Sequence, residues 1–459
     1  MSANSIVVIG AGISGLSAAH ALLARGARDV TVLDAAARPG GVIATRREGG
    51  FVFELGPDSF LTAKSAALSL CRELGLGDRF VGSNDGARKT WIWRHGRLMA
   101  LPAGWQMLGP ARMAPVLATP LLSPRAKLRL LREWWARPEP FLVDEAVARL
   151  LQRRFGAETV AAIAAPLLAG VYGGDAEELS AAAVTPRLLE LARRGSISRA
   201  LWRARRRAPQ SAPAPLFTTL RDGLDELPAA LAARIGAQRL RLHCRVLKLE
   251  MRAGEVHIQC DGGASFTAGA VILALPAAAA APLVEALDGE LARELAAITY
   301  SSSLTVNLAF DHEPPLPPGT GALVASGEGL RLLACTFMHR KFPHRAPPGA
   351  ALLRVFYGGR RDGDAWAMPD PAAIALAQSE LRRMFGIRVE PTAACVARWA
   401  GAMAQPAVGH LAQLERIEAA LARHPNLALA GNAFAGIGIA DCIAAGRRAA
   451  ERILGDQPS

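Results

Sequence analysis

Three glycines near the start of the chain, Gly10, Gly12 and Gly15, stand in GxGxxG spacing directly after an apolar, β-branched run, Ile6 to Ile9. In that setting the first glycine permits a tight turn. The second leaves the backbone open to a pyrophosphate, and the third lets a helix pack on the strand. Ala11, Ile13 and Ser14 fill the gaps between them, and the helix that reads from Leu16 to Ala24 turns its unpaired N–H groups and positive dipole end toward any phosphate bound there. A second run, Val30 to Leu33, ends in Asp34 and Ala35, where an acid accepts a hydrogen bond from a ribose hydroxyl. The chemistry is dinucleotide binding. The elements that must position it are a buried strand, a turn, a helix and a second parallel strand.

More glycine-rich stretches follow. Gly40-Gly41-Val42 lies six residues past Asp34, with Arg46 and Arg47 beyond it and then Glu54-Leu55-Gly56-Pro57-Asp58-Ser59. Near the other end of the chain stands Gly431-Asn432-Ala433-Phe434-Ala435-Gly436-Ile437-Gly438-Ile439-Ala440-Asp441-Cys442-Ile443. Taken alone, that run reads as a helix start whose glycines let backbone approach a ligand closely.

The order acid, Gly-Gly, basic residue, Glu-x-Gly resembles the FAD-binding amine oxidase superfamily. Within it, the C-terminal run is similar to the ending of the oxygen-dependent protoporphyrinogen oxidases of the bacterial type. Three internal stretches agree: Gly170-Val171-Tyr172-Gly173-Gly174-Asp175, then Phe342-Pro343-His344-Arg345-Ala346-Pro347, then Trp399 with Gln405-Pro406 and Gly409-His410. The resemblance spans nearly the whole chain. It implies a Rossmann-like α/β domain binding FAD non-covalently, a mixed-sheet substrate domain and a helical, membrane-associating domain, α+β as a whole. The FAD residues it implies are Gly10 to Gly15, Asp34, Ala35, Gly40, Gly41, Val42, Gly56, Pro57, Asp58, Ser59, Val246 at the adenine side, Trp399, Gly431, Asn432, Ile437, Gly438 and Ile439. For the substrate it implies Gly170 near the reacting carbon, Leu323 and Phe337 as walls, and Lys89 and Thr90 near the carboxylates. Where other members carry an arginine this chain has Thr90, so Lys89, Arg88 or Lys64 stands in as the cation.

The activity implied is a six-electron oxidation of protoporphyrinogen IX to protoporphyrin IX, with hydride passing to flavin N5 and O2 reoxidising the flavin to give H2O2. Coproporphyrinogen III is the alternative substrate. A polyamine oxidase or carotenoid desaturase shares the N-terminal motifs, and a non-catalytic flavin-bearing membrane adaptor is the third reading. An amine oxidase calls for acids or an aromatic cage around a cationic substrate, and the chain has only three tyrosines. No Ser-His-Asp set, carboxylate pair or metal-ligand spacing stands out, and flavin chemistry requires none of these.

With 459 residues, 51% of them hydrophobic, the chain can fill two or three cores. The organisation expected is a first FAD-binding segment over 1–86, a helical domain over 87–210, a second FAD-binding segment over 211–290, a substrate domain over 291–391 and a C-terminal FAD-binding segment over 392–459. Strands are expected at 255–275, 300–310, 330–338 and 350–358, together flooring the substrate pocket. The six cysteines show no CxxC pattern and suit a reducing cytoplasm. Cys442 reads as structural.

The net charge of +13 is concentrated. Residues 88–137 hold ten Arg or Lys against one acid, Glu133, and residues 193–207 hold seven Arg and no acid. Few aromatics and no reading motif argue against nucleic acid. Between Pro124 and Pro138, Leu128, Leu131 and Trp135 share one helical face, while Arg125, Arg129 and Arg132 share another. That is the pattern of a helix lying in a membrane interface. No run reaches the ~20 apolar residues of a membrane span. The expected location is therefore cytoplasmic and peripheral to the inner face of the cell membrane. Expected partners are a porphyrinogen, O2, an anionic membrane surface and the next tetrapyrrole-pathway enzyme, with a homodimer also admitted.

Overall fold

A computed structural model describes residues 5–106, 108–139, 143–207 and 214–455. Met107 and residues 208–213, just past the basic segment 193–207, lie outside the described residues.

Apolar β-branched runs bury on both faces, so they assemble into a parallel sheet. Its strands, in spatial order, are Leu240–Arg241, Val30–Leu33, Ile6–Ile9, Ala270–Leu273 and Leu427–Leu429. The helices Ile13–Ala24, Glu226–Ile235 and Ile439–Leu454 share one core cluster with this sheet through Leu16, Leu22, Leu231 and Ile443. The two ends of the chain thus meet in one layer. An added Cβ at Gly446 would stand 2.2 Å from the Ser14 carbonyl oxygen, so the first and last helices touch backbone to backbone.

A second, seven-stranded sheet runs in the order Ala393–Ala404, Tyr300–Phe310, Ala351–Gly358, Ala334–Phe337, Gly321–Val324, Thr90–Arg94, Arg97–Ala100. All neighbours are antiparallel except Gly321–Val324 with Thr90–Arg94. The architecture is mixed α/β, as the sequence implies. Three segments sit differently from the expected division. Residues 393–404 pair along Tyr300–Phe310, and the chain returns to the parallel sheet only at Leu427. Thr90–Arg94 and Arg97–Ala100, expected within a helical domain, close the far edge of the seven-stranded sheet. The strands expected over 255–275 belong to a three-stranded sheet with Val246–Arg252 and, at Ala270–Leu273, to the parallel sheet. Pairing partners, which local pattern does not encode, decide each case.

Helices Pro124–Glu133, Val147–Phe155, Ala165–Tyr172, Pro186–Arg194 and Ile197–Arg207 pack around Leu130, Leu151, Phe155, Ile163, Leu188 and Leu201, and onto Ile92 and Met99 of the large sheet. Ser123 starts the first of these: its side chain accepts from the Ala126 N–H, and Pro124 occupies the first helical position.

Candidate functional site

The cradle is built from close backbone approaches. Gly10 has φ +108°, and a Cβ there would lie 2.4 Å from the Ala274 carbonyl oxygen. A Cβ at Gly15 would lie 1.9 Å from the Gly10 carbonyl oxygen. These two glycines are required by protein atoms. Gly12 is different: its φ of −69° suits any residue, and among the described residues a Cβ there meets nothing within 4 Å beyond its chain neighbours. Gly12 starts the helix Ile13–Ala24, and no side chain caps it. The orphan N–H groups therefore face an open concavity whose edge is the Gly40-Gly41 turn, held by a hydrogen bond from the Gly40 N–H to Ala11 O at 2.8 Å. Asp34 accepts from the N–H groups of Ala11 (2.5 Å) and Ala36 (2.7 Å), which fixes its carboxylate beside the turn. Val246 begins the edge strand nearby and is partly exposed. An open helix N-terminus, a glycine facing empty space and a positioned acid fit a dinucleotide.

The second half of the site lies where Leu55, Gly56, Pro57, Asp58 and Ser59 rest on the large sheet. In the strands there, directly paired residues share a face. The register puts Thr90, Ile92, Gly321, Leu323, Ala334, Thr336, Arg354, Phe356, Thr305, Asn307 and Trp399 on one side. Four of these donate to successive carbonyls of the resting segment. Asn307 reaches Glu54 O (3.4 Å), Thr305 and Trp399 reach Leu55 O (3.4 and 2.7 Å), and Arg354 reaches Gly56 O. A Cβ at Gly56 would lie 1.7 Å from the Val42 carbonyl oxygen, so this glycine, too, is a close approach. Burial opposes ionisation of Asp58, but Lys341 and Arg354 outweigh it and hold the carboxyl well below the usual range.

The Gly431 run closes the arrangement. Asn432 donates to Ala402 O at 2.7 Å, and Gly438 starts the last helix without a capping side chain. Ile437 is half-buried. The side chain of Ile439 packs into the core, so what it offers a ligand is its backbone N–H. Burial pushes the Cys442 thiol up to about 11, keeping it protonated beneath the helix. Above the sheet, Gly170 on the helix Ala165–Tyr172 faces Leu323, whose Cδ2 would be 3.0 Å from an added Cβ.

Two expected substrate residues sit elsewhere. Phe337 has the opposite parity from Leu323. It is fully buried among Leu353, Val355 and Tyr357 and contacts Phe385 edge-on at 5.5 Å. Lys89 likewise turns away: its ammonium lies 4.3 Å from the Trp91 ring centroid, on the reverse side, where it lines an outer groove with Arg88 and Arg340. Phe356, one strand beyond Ala334, does share the face of Leu323 and is capped by the Arg354 guanidinium at 4.8 Å. Of the three cations considered, Lys64 is the one that reaches the Gly436–Asp441 turn, bridging both Asp441 oxygens at 2.6–2.7 Å. Tyr172 lies near the same turn. Burial and then Asp441 push its phenol up.

We expect Phe337→Ala to destabilise the fold by ~3–5 kcal/mol while leaving the substrate KM unchanged. Phe356→Ala should raise KM with a smaller loss of Tm. Thermal melts and steady-state kinetics on the pair check the assignment of faces.

A family model for flavin containing amine oxidoreductases matches residues 13–454. The chain belongs to that family. Among its curated relatives, a coproporphyrinogen III oxidase of Bacillus subtilis (strain 168) is 29% identical, with 98% of this chain and 97% of the relative covered. The chloroplastic protoporphyrinogen oxidase of Oryza sativa is 27% identical over 97% of this chain and 87% of its own length. A solved structure from Exiguobacterium sp. 255-15 superposes with TM-score 0.88 at 28% identity, and 100% of each chain is covered. As a member of the flavin-containing family the chain is an oxidoreductase whose cofactor is FAD, and the cradle described above is where its residues fit that group.

Proposed function

We propose that this flavin-containing oxidoreductase oxidises a porphyrinogen in tetrapyrrole biosynthesis. The observation that carries the reading is Gly170, an exposed glycine of the helix Ala165–Tyr172 set against Leu323, on the same sheet face that holds the Leu55–Gly56 segment and carries Phe356. When bound, FAD supplies the hydride acceptor and delivers the electrons to O2. The chain's own residues do the remaining work. Gly170, lacking a side chain, lets a broad ring come close. The aliphatic walls exclude water, and Lys64, paired with Asp441, offers a cation to a substrate carboxylate at the rim.

The bacterial relatives from Bacillus, Mycobacterium and Staphylococcus bear the name coproporphyrinogen III oxidase, and the rice relative is named for protoporphyrinogen. We therefore take coproporphyrinogen III as the preferred substrate, with protoporphyrinogen IX as the competitor. Anaerobic mixing tests both at once. The flavin absorbance should bleach on adding coproporphyrinogen III, more slowly with protoporphyrinogen IX, and return with air. A flavin that bleaches with polyamines and ignores both porphyrinogens overturns the reading.

The basic helices give this enzyme a membrane-facing side. In Pro124–Glu133, Ala126, Leu130 and Glu133 are buried, whereas Leu128 is 50% exposed and Trp135, just beyond, 72%. Trp134 stacks edge-on against Trp202 of Ile197–Arg207 at 5.7 Å, and Arg206 covers the Trp202 ring. Glu133 accepts from the Ile197 and Ser198 N–H groups at 2.6 and 3.1 Å, so the one acid of this basic segment caps the neighbouring helix. The result is a rigid platform with exposed Leu, Trp and Arg. Among the described residues no helix is long and apolar enough to cross a membrane. Each basic residue near an anionic surface contributes ~1 kcal/mol. Arg125, Arg129 and Arg132 replaced together by Glu should abolish co-sedimentation with phosphatidylserine vesicles while leaving turnover of detergent-dispersed substrate intact.

A further inference from the structure

Two of the six cysteines, Cys244 and Cys260, meet at the edge of the cofactor sheet. Val246–Arg252 pairs antiparallel with Glu255–Cys260, and Val246 stands opposite Cys260. Cys244 lies two residues before Val246, its side chain touches that of Cys260, and both pack in one core cluster. Their accessibilities differ: Cys260 is buried and Cys244 half-buried, so solvent reaches the latter more readily. Burial, and then the adjacent Cys244 thiol, push Cys260 up to about 12. The attacking thiolate is therefore Cys244, and Cys260 is the resolving partner.

The backbone around Cys244 is tied to the ribose end of the cradle. The Cys244 N–H donates to Asp34 O at 2.8 Å and the His243 N–H to Ala36 O at 3.1 Å, while the Asp34 N–H donates to Arg241 O at 2.9 Å. His243 holds a left-handed φ of +53°, a conformation that a non-glycine residue keeps only when its surroundings enforce it. The two side chains are already in contact, and a disulfide narrows such a contact to a covalent bond with fixed geometry. Bonding the two sulfurs pulls on Cys244 from the side opposite its hydrogen bond to Asp34 O.

We propose that Cys244 and Cys260 form a peroxide-driven disulfide that loosens the Asp34–Ala36 turn and so lowers the affinity for FAD. The Cys244 thiolate attacks one peroxide oxygen. The O–O bond breaks, the departing hydroxide leaves as water on taking a proton, and Cys244 becomes a sulfenic acid. The Cys260 sulfur then attacks the Cys244 sulfur; its proton goes to the departing hydroxyl, the S–O bond breaks and a second water is released. Two thiols lose two electrons and one H2O2 gains them. The proposed oxidase activity would make the peroxide within the same molecule, and the proposal rests on that reading only for the oxidant's source.

The test adds hydrogen peroxide to the FAD-loaded full chain without porphyrinogen. Non-reducing peptide mapping should find Cys244 joined to Cys260. The dissociation constant for FAD, read by flavin fluorescence after ultrafiltration, should rise about tenfold, the loss that breaking one backbone latch brings, and a dithiol reductant should restore it. Cys244→Ser and Cys260→Ser should each bind FAD normally and resist the peroxide effect, with Cys244→Ala and Cys260→Ala as substitutes should either serine variant fail to fold. Absence of the cross-link in the native protein overturns the proposal. So does a cross-link that leaves FAD affinity unchanged, or an equal loss of FAD in the variants. Because peroxide is supplied, a chain inert toward porphyrinogen but cross-linked at these residues would refute the oxidase reading and leave this one standing.

Discussion

Gly12→Val is expected to give a folded, colourless protein. The backbone at Gly12 has φ −69° and ψ 175°, ordinary values for any residue, and among the described residues nothing beyond its chain neighbours lies within 4 Å of the Cβ position. The valine therefore costs the apoprotein little. Its side chain instead occupies the space in front of the uncapped N–H groups of the helix Ile13–Ala24, where the pyrophosphate must sit. Affinity for FAD should fall by on the order of a hundredfold or more, about 2.7 kcal/mol. The flavin absorbance of the purified protein should disappear while far-UV dichroism and the apoprotein Tm hold. Gly15→Val supplies the contrast. Its Cβ would lie 1.9 Å from the Gly10 carbonyl oxygen, so the strand and helix must separate and the protein should be recovered poorly or unfolded. A yellow Gly12→Val protein, or a well-folded Gly15→Val protein, would show that these glycines do not divide the work in this way.

A large, pH-dependent loss of stability is expected of Arg345→Met. Arg345 and Glu54 are both fully buried and pair at 2.7 Å. Arg345 also donates to the Thr219 hydroxyl at 2.7 Å, and Glu54 accepts from the Thr45 hydroxyl (2.7 Å) and the Leu224 N–H (2.9 Å). The pair pins the Pro343–Arg345 turn of the substrate side to the strand Phe51–Glu54, which leads straight into the site segment Leu55–Ser59. Removing one partner strands a buried charge, which costs ~3–5 kcal/mol. Arg345→Met with Glu54→Gln removes both charges and should recover much of the loss, a coupling that urea titrations of both single variants and the double variant would measure.

The pH dependence of this pair follows from the position of Glu54. Burial raises its carboxyl from 4.5 to about 6, against the opposing pull of Arg345, Thr45 and the Leu224 N–H. A carboxyl raised in the folded state contributes its stability fully below the unfolded value of 4.5 and loses it as pH rises through about 6. Across that window wild-type stability should drop by about 2 kcal/mol from this residue. Without Arg345 the carboxyl moves higher still. The deficit of Arg345→Met should therefore widen with rising pH, and a deficit that stays flat from acid to neutral pH would show that Glu54 is not the group left uncompensated.

The cofactor cradle was readable because its parts adjoin in sequence. Strand, Gly10-x-Gly12-x-x-Gly15, helix, strand and Asp34 fall within one short stretch, and local chemistry dictates each step. Part of the site's other half left a trace that the sequence reading passed over. Ser303, Thr305 and Asn307 alternate with apolar residues at period two, and Arg354 interrupts an otherwise apolar strand. Both are marks of a face that meets backbone carbonyls and not a core. What that pattern does not tell is which side of a strand faces the ligand. Shifting the register by one residue exchanges the two faces, and register here is set by neighbours drawn from distant parts of the chain. Phe337 and Phe356 are both aromatic strand residues, yet pairing with Leu353 turns the first into the core and pairing with Ala334 turns the second toward Leu323. Lys64 and Lys89 differ in the same way, one drawn to Asp441 at the start of the last helix and the other onto Trp91.

The sequence by itself therefore determined the cofactor class, the family and the basic segments, because motif chemistry and charge are local properties of the chain. The tertiary structure alone decided which side chains share the sheet face beside Gly170, which lysine reaches the Gly436–Asp441 turn, and that Leu128 and Trp135 face outward while Leu130 packs inward. Those assignments depend on which distant strand or helix each residue meets.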